Sequence, residues 1–106
     1  MTDLPRHTLY HDRVETPDGP DTSELFLTFL LDGGLRIDGC YAGPRAEAFW
    51  GDWDHEFWLE IPASHAQAFV ARVFHDAFNR SLPVTYARLE EICTEDGIPA
   101  TKGHWT

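Results

Sequence analysis

Apolar and polar residues alternate along much of the N-terminal half of the chain, the period of a β-strand. Residues 7–15 alternate loosely and predict a first strand. Residues 16–22 hold two prolines, a glycine and two aspartates and read as a loop. Glu24 to Leu31 is apolar on both faces, as a central strand covered on one side and partly on the other would be. Asp32-Gly33-Gly34 then supplies the positive φ of a tight hairpin. Beyond it Leu35, Ile37, Gly39 and Tyr41 alternate with Arg36, Asp38 and Cys40. Ala42 to Trp53 is punctuated by Gly and Pro and predicts an irregular crossing. From Asp54 to Ile61 the alternation returns. His55, Phe57, Leu59 and Ile61 are directed to the core, and Asp54, Glu56, Trp58 and Glu60 away from it.

After Pro62 the period changes. Ala66, Phe69, Val70, Val73, Phe74, Ala77 and Phe78 recur at spacings of three and four, a helical stripe expected to face a sheet. His65, Arg72, His75, Asp76 and Asn79 are expected in water, and Ser64 is a candidate N-cap. A second helix is predicted from Val84 or Thr85 to Asp96. Tyr86, Leu89, Ile92 and Cys93 form its inner side, with Gly97 as its C-cap. Ile98 and Trp105 allow a short strand in the tail. Four strands followed by two helices, joined by hairpin-length connections, predict an α+β fold. Its antiparallel sheet of four to five strands has two C-terminal helices packed on one face. A doubly wound nucleotide fold is excluded, because strands and helices do not alternate.

With 106 residues, positions 1–106 are expected to form one domain, and 42% hydrophobic residues suffice for a core. Charge adds more. Eighteen acids against eight basic residues give a net charge of −10. Direct nucleic-acid binding is disfavoured, since its free energy comes largely from Lys and Arg displacing phosphate counterions. The field also opposes anionic membranes and suits a basic protein partner, although net charge serves solubility too. Met1 to Pro5 shows no basic stretch leading into an apolar run, and the longest apolar run is far short of the ~20 residues that span a bilayer. The expected compartment is the cytoplasm, with Cys40 and Cys93 reduced.

One segment concentrates the candidate chemistry. From Phe49 to Glu60 the chain carries three of its four tryptophans and four acids, with no Lys or Arg between Arg45 and Arg72. Trp50, Trp53 and Trp58 are candidate partner-binding anchors, and Asp52, Asp54, Glu56 and Glu60 candidate partners for cationic side chains. The competing reading has Trp50 and Trp53 plugging the end of the core and Trp58 beneath a loop. Asp52, Asp54 and Glu56 lack the twelve-residue frame of a calcium loop, so no metal and no cofactor is expected. None of the six histidines falls in a zinc-binding pattern, and His65 and His75 are too far apart to chelate. Cys40, on a strand near Asp38, is expected to have a raised pKa and a structural role. No glycine cluster matches a phosphate-binding loop, and no catalytic residues are assigned.

The run Asp32-Gly33-Gly34-Leu35-Arg36-Ile37-Asp38-Gly39, followed by Gly43, Glu47 and Gly51-Asp52-Trp53-Asp54-His55-Glu56, resembles a pattern in small uncharacterised bacterial proteins. Some of these are similar to immunity proteins of polymorphic-toxin systems. The resemblance covers residues 25–61. It departs at Cys40-Tyr41-Ala42, where an acid often precedes the glycine, and at His55, where an aromatic usually stands. The resemblance implies an α+β fold and a non-catalytic role, and it carries over no active-site residues. The expected function is therefore an acidic, immunity-protein-like inhibitor occluding a basic toxin or nucleic-acid-handling enzyme. Three alternatives stand beside it: a phage-type nucleic-acid mimic that inhibits a defence nuclease, a small ligand-binding or hydrolytic domain using His55 with Glu56 or Asp54, and a homodimer that buries its tryptophans at a two-fold interface.

Overall fold

A computed structural model describes residues 4–80 and 83–105, with Trp105 through its backbone only. Residues 1–3, read above for an export signal, and Thr106 at the end of the tail lie outside this range. Strands β1 (Arg6–Thr16), β2 (Gly19–Phe29), β3 (Leu35–Ala42), β4 (Asp54–Ile61) and β5 (Thr101–Trp105) form one antiparallel sheet in sequential order. Helix α1 (Pro44–Trp50) lies between β3 and β4, while α2 (Ala63–Asn79) and α3 (Tyr86–Glu95) lie between β4 and β5. The fold is α+β, and its two C-terminal helices pack on one face as the patterning predicts.

Alternation in β3 and β4 builds the core directly. Leu35, Ile37, Phe57, Leu59 and Ile61 are buried on the helix side, against Ala66 and Phe69 of α2 and Leu89, Ile92 and Cys93 of α3. Leu25 and Leu27 of β2 pack at the margin of this cluster. Coverage ends there: β1 is exposed over nearly its whole length. The sheet therefore extends past its helices, giving a slab of 45 × 41 × 21 Å. The radius of gyration is 15.0 Å, against roughly 13 Å for a compact chain of this length.

Two segments expected to be irregular are ordered. Residues 16–22 are not a loop. Pro17 and Asp18 alone form the turn of a long β1–β2 hairpin, and β2 begins at Gly19. The turn is fastened locally, since the Thr16 hydroxyl donates to the Gly19 carbonyl and accepts from the Asp18 N–H. Residues 42–53 contain α1, bounded by Gly43 and by Gly51 with φ of 78°. Pro44 suits its first turn, where an N–H has no helical partner. The Asp21 carboxylate accepts the Arg45 N–H at 2.9 Å and ties the helix start to β2.

Helix α2 differs from its predicted orientation at both faces. Phe74 and Phe78 do not meet the sheet; Phe78 is 84% exposed. Asp76, expected in water, is 3% exposed. Its carboxylate accepts from Arg88 of α3 at 2.7 Å and is approached by Arg72 at 3.3 Å and Arg80 at 3.5 Å. Arg88 also donates to Glu95 at 2.8 Å. A buried charge needs both a counter-ion and hydrogen bonds, and Arg88 supplies both. Chiefly through that hydrogen bond the Asp76 carboxyl is held down at about 2. The pair clamps α2 to α3, and this turns the aspartate inward. At the start of α3 the Thr85 side chain accepts the Arg88 N–H, an N-cap.

Candidate functional site

Among the described residues, no layer covers the sheet face opposite the helices. Strand register arranges its side chains in rungs: His11, Glu24, Cys40 and Glu56 in one, and Thr8, Phe26, Asp38, Trp58 and Gly103 in the next. A third holds Arg6, Thr28, Arg36, Glu60 and Thr101. Phe26 and Trp58, both half-buried, make the apolar centre. The Arg6 guanidinium lies 3.7 Å over the Phe26 ring and pairs with Asp38 at 3.6 Å. Arg36 lies 5.4 Å from the Trp58 ring and pairs with Glu60 at 2.7 Å. A Cβ at Gly103 would collide with the Trp58 indole, so β5 offers bare backbone as the floor on which the indole lies.

Carboxylates gather at one side of this centre. Burial, and then Asp54, Glu56 and Glu24, hold the Cys40 thiol above its ordinary pKa. Burial and the negative field of these acids both favour the protonated thiol over the thiolate, the nucleophilic form. The expected rise is present, but its electrostatic part comes from these three acids; Asp38 is engaged by Arg6. Asp54 and Glu56 have no ion-pair partner among the described residues, and His11 only reaches 4.0 Å from Glu24.

Of the seven predicted partner-binding residues, the sheet brings four to this face: Asp54, Glu56, Trp58 and Glu60. Asp52 is exposed in the bend between α1 and β4. Trp53, 44% exposed, lies at the end of the sheet beside Gly19 of the first hairpin. Trp50 belongs to the opposite side. As the last residue of α1 it stacks on His55, with ring centroids 4.0 Å apart and an interplanar angle of 3°, and on Tyr41 at 5.6 Å. The three indoles therefore do not project together, because α1 carries Trp50 to the helix side. Phe26, Arg6, Arg36 and Glu24 were not singled out from sequence. The even-numbered positions of β2 and β3 were the signal that would have found Glu24, Phe26 and Arg36; Arg6 lies in β1, where a register shift after Thr8 breaks the parity.

His55 is 8% exposed, and its Nδ1 has no hydrogen-bond partner among the described residues. Burial, with His104 second, depresses its pKa, so the ring is neutral. Asp54 and Glu56 flank it in sequence but lie on the other face of the sheet, so His55 forms no dyad with either. Among the described residues no three His, Cys, Asp or Glu side chains converge to hold a metal ion, and no helix is long and apolar enough to cross a membrane. No protein-family model, curated protein or solved structure matches the chain.

Proposed function

We propose that this protein is an acidic protein-binding inhibitor, immunity-protein-like, that docks its uncovered sheet face onto a basic toxin or nucleic-acid-handling enzyme and occludes it. One observation carries the reading: Trp58 and Phe26 form an apolar centre beside Glu24, Asp54 and Glu56, on a face that no other described element covers. Large aromatics supply contact area, and Asp54 and Glu56, with no ion-pair partner among the described residues, can pair with Lys or Arg of another protein. The net charge of −10 steers such a partner in. Asp52 and Trp53 extend the surface at the sheet end, while Trp50 contributes only by fixing α1.

The test is calorimetric titration of the partner, purified after affinity capture from the native host, with the parent chain, Trp58→Ala and Glu56→Arg at low and physiological salt. Trp58→Ala should weaken the complex about 30-fold, the ~2 kcal/mol of an interface hot spot. Glu56→Arg should weaken it further at low salt than at high. Parent-like affinity in both variants would sink the proposal.

A further inference from the structure

The helix side of the sheet contains a second feature, independent of the open acidic face. Where α1 and the start of α3 stand apart over β1–β3, they leave a cavity of about 550 Å³. That volume falls within the range of small-molecule sites, roughly 300–1,000 Å³. Tyr10, Leu25 and Tyr41 of the sheet form its floor, Phe49 and Trp50 of α1 one wall, and Tyr86 of α3 the other. These walls are held by contacts among themselves and with the core: Tyr41 stacks on Trp50, and Tyr86 meets Phe57 edge-on at 4.4 Å. Such walls suit a flat apolar body.

Charge decides what else the ligand carries. Seven of the eight basic side chains are ion-paired: Arg6, Arg13, Arg36, Arg72, Arg80, Arg88 and Lys102. Arg45 is the eighth. Among the described residues it has no acidic partner, in a chain with eighteen acids, and it lines this cavity. Asp21 and Glu24 also line the cavity: the Asp21 carboxylate accepts the Arg45 backbone N–H, and Glu24 belongs to the acids around Cys40, so an anion is favoured only where it meets the Arg45 guanidinium directly. The overall negative charge does not forbid an anion, because its more distant contributions are screened over about 8 Å at physiological salt.

We propose that this cavity binds a small aromatic carboxylate, its ring between Trp50, Tyr41 and Tyr86 and its anion on the Arg45 guanidinium. Planar, bidentate pairing to a carboxylate is the geometry that guanidinium fits best.

The experiment is calorimetric titration of the full chain with benzoate, indole-3-acetate and 2-naphthoate, with uncharged 2-naphthamide as the comparator. Arg45→Gln is the informative variant, because the side chain is exposed and has no ion-pair partner among the described residues. At least one carboxylate should bind saturably with a Kd below the order of 1 mM. For 2-naphthoate, removing the anion or the guanidinium should each weaken binding about tenfold or more. The proposal is overturned if no carboxylate binds saturably in that range. It is also overturned if Arg45→Gln binds 2-naphthoate as tightly as the parent does, or if the amide matches the carboxylate.

Discussion

Replacing His55 with phenylalanine should stabilise the protein. In the native fold the imidazole lies parallel to Trp50 and 5.9 Å from Phe57, with Nδ1 buried and unpartnered among the described residues. An unsatisfied buried donor or acceptor costs about 1–3 kcal/mol. Phenylalanine keeps the ring and its stack and deletes the nitrogen; accommodating its slightly greater bulk returns part of the gain. A net stabilisation of about 1 kcal/mol is expected at neutral pH, or ~4 °C or more in Tm for a domain of this size. Acid should widen the difference. Because the native ring has a pKa below the ordinary 6.5, the unfolded chain takes up a proton first as the pH falls. The parent has the full stability of this site above 6.5 and loses stability below it, until the native ring itself protonates. The variant has no such loss at position 55. Urea and thermal melts followed by tryptophan fluorescence, from about pH 7.5 to about 5.5, measure both effects. A variant less stable than the parent at neutral pH, or a gap that does not grow on acidification, would refute the account of an orphaned nitrogen.

Two other positions give clear expectations. Asp76→Ala leaves Arg72, Arg80 and Arg88 crowded around an empty centre, and should lower Tm and loosen α2 from α3. In the parent this carboxylate contributes fully above its unfolded pKa of 3.8 and loses its effect only as the pH falls through about 2; a D76A melting curve identical to the parent's contradicts the clamp. Gly103→Val places a Cβ against the Trp58 indole, so it should destabilise by about 1–3 kcal/mol despite valine's preference for strands. Near-UV circular dichroism should show the indole displaced, and an unchanged spectrum with unchanged Tm would mean that the glycine floor is dispensable.

How much was legible in the sequence depended on whether one covered face set the pattern. In β4 it did: strict alternation from 54 to 61 placed each side chain on the face it occupies. The Asp32-Gly33-Gly34 hairpin was equally legible, since Gly33 adopts φ of 93°. Composition misled where the chain is rich in turn formers. Pro17, Asp18, Gly19 and Pro20 look like a long loop, yet two residues make the turn, because the flanking strands are long enough to impose register. Helix α1, seven residues long, is too short to show a period, and only Pro44 and Gly51 marked its ends. Asp76 and Phe78 were misjudged for a tertiary reason. A helical stripe says which side of α2 is apolar, but α3 packs against another side and brings the arginine that draws Asp76 inward. The candidate face was half legible on the same grounds. Trp58 and its neighbouring acids follow from strand parity; the place of Trp50 depends on α1, whose existence the period did not reveal.

The order of strands gives the open face a history as well as a shape. β1 to β4 are each joined to their sheet neighbour by a turn or a seven-residue helix, so their pairing closes short loops and is entropically cheap. β5 must return from beyond α2 and α3, and on topology it is the last strand to dock. Its Gly103 is the surface under the Trp58 indole. Until β5 is in place the indole lacks its glycine floor, and a polypeptide without β5 holds the parts of the open face without its finished form.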